Sequence, residues 1–185
     1  MFIQTEQTPN PATLKFLPGR DVMGDGTANF PTRDTADRSP LAQRLFQIEG
    51  VTGLFFGSDF VTVTKAEDQE WGLMKPAILG VIMEHFVAGK PVMAEGIVAP
   101  AEAEVAVEDE EIVSQIKDLL DTRVRPAVAQ DGGDIIFRGF EEGVVYLHMQ
   151  GSCAGCPSST ATLKMGIENM LKHYVPEVVA VEAVP

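Results

Sequence analysis

Two cysteines are the residues of this chain whose type and spacing could do chemistry. Cys153 and Cys156 are its only cysteines, and they stand three positions apart. That spacing allows both sulfurs to point at one spot, which is either a metal or each other. Two thiolates are soft ligands and make up half of the set that an iron–sulfur cluster usually takes. The pair therefore predicts a metal or redox site at residues 151–157.

The residues around the two cysteines predict a local environment that suits an anionic ligand. Pro157 fits the first position of a helix, so Cys156 would stand at the mouth of that helix. The unpaired backbone N–H groups and the positive end of the helix dipole there favour thiolate over thiol. Gly151 and Gly155 let the backbone approach a bulky ligand, and Met149 is an apolar neighbour that would shield one side.

Two thiolates for each chain are too few for a cluster that takes four. The missing pair must come from a second chain or from small thiols. A symmetric dimer with the cluster on its two-fold axis supplies the pair most simply. Such a cluster would lie at the surface on few bonds, which suits donation to a protein with more cysteines better than electron transfer.

Other interpretations of the cysteine pair stay open on spacing alone. The two thiols could share a structural zinc ion, cycle between dithiol and disulfide, or have no role. Thioredoxin-like redox chemistry expects a buried parallel strand before the two cysteines. The strands that precede Cys153 predict an antiparallel hairpin instead, which weakens the redox interpretation.

The three histidines add little to this picture. His148 could join a zinc site, but strand alternation places it on the face opposite Leu147 and Met149. His173 lies near the end of a predicted helix, where a cation favours the dipole. His85 is best explained as a residue of a helix face that packing partly covers.

Composition excludes several classes of function. The formal charge of −13 over 185 residues makes nucleic acid and anionic membrane surfaces poor partners. No apolar run reaches the roughly 20 residues of a membrane span. Two close cysteines do not form a secreted disulfide framework, and the first residues show neither a signal-peptide pattern nor an organelle presequence. We expect a bacterial-type cytoplasm, with a processed form in the mitochondrial matrix as the alternative.

The elements that position the cysteines predict an α+β chain of two small α/β-sandwich domains joined by an acidic linker. The first domain, residues 1–90, has no cysteine. Its predicted elements are strands at 2–6 and 13–17, a long loop at 19–38, a helix after Ser39, a hairpin at 51–64 and a helix at about 75–88. Residues 91–108 are predicted to be a flexible linker, because residues 91–111 hold seven acidic residues and neither Lys nor Arg.

The second domain, residues 109–185, is predicted to have the order α-β-β-α-β. A helix begins near residue 109, with Ile112, Ile116, Leu119 and Arg123 on one stripe and Val113, Leu120 and Val124 beside it, and Pro126 ends or kinks it. A turn at 131–134 leads to strands at 135–140 and 144–149. The cysteine loop follows the second strand, and a helix at 157–174 and a strand at 178–184 complete the domain.

The cysteine loop and the start of the next helix closely resemble the C-terminal domain of NifU-like proteins. The resemblance is carried by Gly151-Ser152-Cys153-Ala154-Gly155-Cys156-Pro157-Ser158-Ser159, then Thr162-Leu163-Lys164-Met165-Gly166-Ile167-Glu168, with Arg125-Pro126 and Asp131-Gly132-Gly133-Asp134 upstream. The first domain resembles the N-terminal domain of the Nfu family. That likeness is carried by Thr8-Pro9-Asn10-Pro11-Ala12-Thr13-Leu14-Lys15-Phe16 and Pro18-Gly19.

This resemblance implies a late-acting scaffold or carrier for iron–sulfur clusters, which is not an enzyme. It implies a homodimer that bridges a 4Fe–4S cluster through Cys153 and Cys156 and passes the cluster to apo-proteins. The first domain, which lacks thiols, would then recognise targets or an upstream scaffold. The acidic linker would let it do so while the cluster-binding domain moves.

Overall fold

The computed structural model describes residues 2–24, 26–94, 110–154 and 157–184, without the side chains of residues 157–159. The chain separates into two compact units, residues 1–99 and residues 100–185. Each unit combines helices with a sheet of its own, so the predicted α+β class is confirmed. Within the described ranges, no helix is long and apolar enough to cross a membrane.

The first unit contains a five-stranded antiparallel sheet and two α-helices. Its elements are β1 (Gln4–Gln7), β2 (Thr13–Leu17), β3 (Ala28–Phe30), α1 (Pro40–Phe46), β4 (Val51–Phe56), β5 (Val61–Lys65) and α2 (Trp71–Val87). The strand order is β1-β2-β5-β4-β3. Alternate residues of β2, β4 and β5 share one core with the buried residues of α1 and α2. The period of two along the strands therefore places one face of the sheet beneath the helices.

The predicted loop at residues 19–38 is wrong in its second half. The structure has β3 there, followed by a 3-10 helix at Arg33–Arg38. Phe30 holds this segment in place, because its fully buried ring packs on Phe56 with the ring centroids 5.0 Å apart. A three-residue strand is too short to show a period of two, and a six-residue helix with one buried residue shows no helical period.

Residues 91–94, which the predicted linker includes, pack against the first unit. The hydroxyl of Ser39 donates to the carbonyl of Val92 at 2.5 Å, and the amide of Ala94 donates to the carbonyl of Arg38 at 2.9 Å. The first unit therefore continues to at least Ala94. Residues 95–109 hold the rest of the predicted linker and lie outside the described residues, so its flexibility stays a prediction.

The second unit follows the predicted order with one addition. Its elements are α3 (Glu110–Leu119), a π-helical turn (Leu120–Val124), α4 (Arg125–Gln130), β6 (Gly133–Glu141), β7 (Val144–Gly151), α5 (Pro157–Tyr174) and β8 (Ala180–Val184). β6 pairs with β7 antiparallel, and β7 pairs with β8 parallel. The predicted antiparallel hairpin before the cysteines is therefore present.

The first helix of this unit does not end at Pro126, which is the second residue of α4. Proline lacks an N–H and crowds the carbonyl four residues earlier, and the wider π-turn just before it removes that conflict. The path therefore continues into α4. The buried residues of this path are Val113, Ile116, Leu120 and Val124, so the side that packs combines Ile116 with the three residues predicted beside the stripe.

Candidate functional site

The pairing of β6 with β7 brings two turns together at one end of the second unit. Gly133 at the start of β6 is opposite Gly151 at the end of β7. The amide of Ser152 donates to the carbonyl of Gly132 at 3.2 Å, and the Ser152 hydroxyl donates to the carbonyl of Asp131. These bonds fix the turn that carries Cys153 to the turn that precedes β6.

The thiol of Cys153 is buried, with 6% of the residue exposed. It belongs to the same buried apolar cluster as Met149, the residue that the sequence predicted to shield the site on one side. The amide of Ala154 donates to the carbonyl of Gly151 at 3.1 Å and closes a tight turn around the cysteine. The hydroxyl of Thr160 donates to the carbonyl of Cys153 at 3.0 Å, which ties the turn to the start of α5.

Gly133 is a site residue that sequence reasoning placed only in a turn. Its backbone lies so close to Cys153 that an added Cβ would stand 2.7 Å from the sulfur. The sequence holds a signal for this contact, because two consecutive glycines follow Asp131. In the structure Gly132 has the positive φ of a turn, +81°, and Gly133 does not. The second glycine is explained by the cysteine beside it.

An ion pair supports the same end of the unit. The guanidinium of Arg125 donates to both oxygens of Asp134, at 2.8 Å each, and to Asp121 at 3.2 Å. Asp134 is 3% exposed and also accepts the amide of Ile135 at 2.8 Å. The bidentate bonds to Asp134 raise the pKa of Arg125 above its ordinary value. α4 is thereby held against the start of β6, next to Gly133.

The electrostatics of Cys153 correct one expectation from the sequence. Burial is the main cause that raises the pKa of the Cys153 thiol to about 11; a hydrogen bond with Ser152 opposes it, and the nearby carboxylates of Asp131 and Asp134 act in the same direction as burial. Without metal this sulfur is therefore a thiol at neutral pH. The favourable pole of a helix was expected to stabilise a thiolate, but loss of hydration outweighs any such effect at Cys153.

The second predicted ligand, Cys156, lies outside the described residues, as does Gly155. Among the residues that are described, no group of three or more His, Cys, Asp and Glu side chains could hold a metal ion. His148 Nδ1 donates to the carbonyl of Val184 at 3.3 Å, on the strand face opposite Leu147, as predicted. His85 is fully buried rather than partly covered. The described half of the site is thus a single thiol on a turn that four hydrogen bonds hold in place.

Comparison with family models identifies both units. A model described as "Scaffold protein Nfu/NifU N terminal" matches residues 3–89, and one described as "NifU-like domain" matches residues 116–182.

Curated relatives share more than half of the sequence. A Drosophila erecta protein is 57% identical over all 185 residues, which cover 65% of that protein. A Homo sapiens protein is 55% identical, again over the whole chain, which covers 72% of it. Both are named "NFU1 iron-sulfur cluster scaffold homolog, mitochondrial". The chain thus spans slightly less than two thirds of the fly relative's length.

Among solved structures, the chain is similar to a NifU-like protein from Saccharomyces cerevisiae. The identity is 28%, the match covers 51% of this chain and 86% of the yeast chain, and the TM-score is 0.47. A Staphylococcus aureus protein is 25% identical over 44% of this chain and 99% of its own, with a TM-score of 0.40.

Proposed function

The chain belongs to the Nfu family of iron–sulfur cluster scaffold proteins, and on that premise we propose that two copies of it carry one 4Fe–4S cluster between them. Cys153 and Cys156 of each copy supply the four thiolates that such a cluster takes. The cluster is cargo, which the dimer receives from an upstream scaffold and passes to apo-proteins. The chain catalyses no reaction of its own in this proposal.

The observation that carries the proposal is the chain's shortage of sulfur ligands. It has two cysteines in all, three positions apart, and backbone hydrogen bonds hold the turn that carries Cys153. Because each copy contributes only half of a ligand set, a bridging dimer is the simplest way to complete it. The same shortage makes release easy, since a target with more cysteines can replace the thiolates one at a time.

The buried, protonated state of Cys153 is consistent with a carrier. A thiol with a raised pKa reacts slowly with oxidants and electrophiles, because the thiolate is the nucleophile. Binding of iron displaces the proton. The positive charge of the metal then stabilises the buried thiolate, which has lost the hydration that would stabilise it in water. Cys153 is thus protected from oxidation in the metal-free protein and becomes a ligand when iron binds.

The test is anaerobic reconstitution of the full chain with iron and sulfide. We expect broad visible absorption from sulfur-to-iron charge transfer, four iron and four sulfide ions for each dimer, and loss of both signals in Cys153→Ala and in Cys156→Ala. His148→Gln is the matched control and should load normally. A monomer that holds its full iron and sulfide without added thiols would refute the bridging arrangement.

Two other outcomes would replace the proposal with a different class of function. Stoichiometric zinc in the purified protein, with unfolding on chelation, would indicate a structural zinc module. Turnover with a disulfide substrate, together with a defined potential for the cysteine pair, would indicate a thiol oxidoreductase.

The cluster chemistry needs a reducing, low-oxygen compartment. The names of the curated relatives place those proteins in mitochondria and give no support to the bacterial-type cytoplasm predicted from the sequence. The mitochondrial alternative is the one that they favour. Either compartment keeps the two thiols reduced, which the proposed loading requires.

A further inference from the structure

The outward face of α2 in the first unit is apolar. Leu73 and Val87 are 78% and 73% exposed, and Met83 is 39% exposed. The exposed residues between them are Pro76, Ala77, Gly80 and Glu84. The opposite face of α2 is buried in the core through Met74, Ile78, Ile82, His85 and Phe86. α2 is thus apolar around most of its circumference, although only one side of it packs on its own unit.

An exposed helix face of this kind is unusual in a soluble protein. A surface helix normally turns charged and polar residues outward, and contiguous exposed apolar surface marks an interaction site. The one charged residue in the stripe, Glu84, is held by Arg44 of α1 with 2.8 Å between nitrogen and oxygen. Its carboxylate therefore already has a cation from its own unit.

Gly80 lies in the middle of this face and is not required by the fold of its own unit. A Cβ at Gly80 would meet no atom within 4 Å, and its backbone does not have a positive φ. Alanine would stabilise the helix there, because glycine loses more backbone freedom on folding. A glycine at such a position leaves room for the close approach of another backbone from outside the unit.

We propose that this face binds the same face of a second copy of the chain, with the two α2 helices antiparallel and the two-fold axis at Gly80. The face is self-complementary about that residue. Leu73 and Val87 are each seven positions from Gly80, and Ala77 and Met83 are each three positions from it. The axis therefore sets Leu73 against Val87 and the small Ala77 against the larger Met83, as a two-fold interface requires.

The charges at the ends of α2 support a second copy in this orientation. Glu70 immediately precedes α2 and Lys90 follows its end, so an antiparallel pair brings the acidic end of one helix to the basic end of the other. A parallel arrangement would instead set Glu70 against Glu70 and Lys90 against Lys90, which is repulsive.

The size of the face predicts weak association. A 17-residue helix is roughly 25 Å long and 11 Å wide, a strip of about 300 Å², whereas each partner in a stable complex loses about 800 Å². The contact is therefore a reversible one. On the proposed function, it brings the two cysteine pairs to high effective concentration before a cluster joins them, and the bridging cluster then strengthens the contact in turn.

The experiment uses the full chain, free of metal and with both cysteines changed to alanine, so that no cluster or disulfide can hold a dimer. Sedimentation equilibrium between about 1 and 500 μM should show a monomer–dimer equilibrium. Leu73→Glu should raise the dissociation constant at least tenfold. Phe2→Ser, equally exposed but outside α2, is the matched control and should leave the constant unchanged.

Charge reversal tests the orientation. Glu70→Lys alone and Lys90→Glu alone should each weaken the dimer severalfold, because each sets like charges together twice, and the double variant should restore it. Failure of the double variant to restore the dimer would refute the antiparallel arrangement.

Glycine substitution tests the close approach. Gly80→Ala should raise the melting temperature of the monomer and weaken the dimer. Gly72→Ala, also in open space but roughly 80° around the helix, should leave the dimer unchanged. A Gly80→Ala variant that dimerises as the parent does would refute contact at this residue.

A chain that stays monomeric at 500 μM would overturn the proposal and would leave the face to a different protein. If the chain never dimerises and Leu73→Glu lowers its melting temperature, the proposal would also be overturned. The face would then be covered by other residues of the same chain. Because the protein tested has no cysteine and no iron, the result is independent of whether the chain binds a cluster.

Discussion

The backbone of Gly133 lies directly against the sulfur of Cys153. A Cβ added to Gly133 would stand 2.7 Å from that sulfur, 2.8 Å from the carbonyl oxygen of Gln150 and 3.1 Å from the amide nitrogen of Cys153. Two of these three atoms are backbone: the β6–β7 ladder fixes Gln150, and the bond from the Ser152 amide to the carbonyl of Gly132 holds the turn that carries Cys153. The depth at which the Cys153 thiol lies is therefore set by the absence of a side chain twenty residues earlier.

Gly133→Ala should force the Cys153 turn away from β6. We expect a loss of about 1–3 kcal/mol in the free energy of unfolding, the usual range for overpacking, and a clear fall in iron bound after reconstitution. Denaturant titration and metal analysis measure the two effects. Gly166→Ala, in an open part of α5, is the control and should gain up to about 1 kcal/mol. Equal stability of Gly133→Ala and the parent would contradict the contact.

The pair of Arg125 and Asp134 should act on the site at a distance. Arg125→Lys keeps the charge but cannot make two parallel bonds to the nearly buried carboxylate, so we expect a loss of about 1–2 kcal/mol, given the partial exposure of Arg125. The start of β6 should loosen, and alkylation of Cys153 in metal-free protein should become faster. Arg123→Lys is the control, because Arg123 lies over the ring of Tyr174 at 4.9 Å and away from Asp134. Identical alkylation rates in all three proteins would argue that the pair has no influence on the thiol.

The parts of the fold that sequence predicted are those with a local cause. Ser39 before Pro40 predicts the start of a helix, and the Ser39 hydroxyl indeed accepts the amide of Ala42 at 3.1 Å. β3 was missed because its place depends on Phe30 reaching Phe56, 26 residues later, which no local pattern encodes. Gly80 shows the same limit, because the open space beside it is a property of the folded unit that the neighbouring residues in the sequence do not predict.

The site was predictable in its chemistry and not in its geometry. Residue type and spacing alone identify Cys153 and Cys156 as candidate ligands. Neither the approach of Gly133 to the sulfur nor the pairing of Arg125 with Asp134 follows from spacing, because the register of β6 with β7 and the π-turn before α4 create them. Burial of the thiol is likewise a tertiary property, and it reversed the expected direction of its pKa.

Alkylation of Cys153 should report that raised pKa directly. In metal-free Cys156→Ser protein, the rate with iodoacetamide should keep rising tenfold for each pH unit through pH 10, because the thiolate fraction grows until the pKa of about 11 is reached. The same protein in denaturant should level off near pH 9, since an unburied thiol has its ordinary pKa. A folded-state rate that levels off below pH 8 would instead support the thiolate that the helix dipole was expected to favour.

The stability of the first unit should fall as pH falls through about 6.5, and His85 should be the cause. Burial lowers the pKa of His85, with Arg44 and Lys90 adding repulsion and the bond to the carbonyl of Pro91 opposing them. Below its ordinary pKa of 6.5 the histidine takes up a proton in the unfolded chain and not in the folded one. Acid therefore favours unfolding.

We expect a loss of up to about 2 kcal/mol between pH 7 and pH 5, the most that one group with an ordinary pKa of 6.5 can contribute over that range. The chain's one tryptophan, Trp71 at the start of α2, makes fluorescence a probe of the first unit alone. Its Nε1 donates to the carbonyl of Pro11 at 3.2 Å, and unfolding would break this bond. His85→Gln should lower stability at pH 7 but remove most of the slope, because no proton can then bind at this buried position. His148→Gln, in the other unit, should leave the Trp71 transition unchanged at every pH. A slope that survives His85→Gln would move the cause to the carboxylates of the unit.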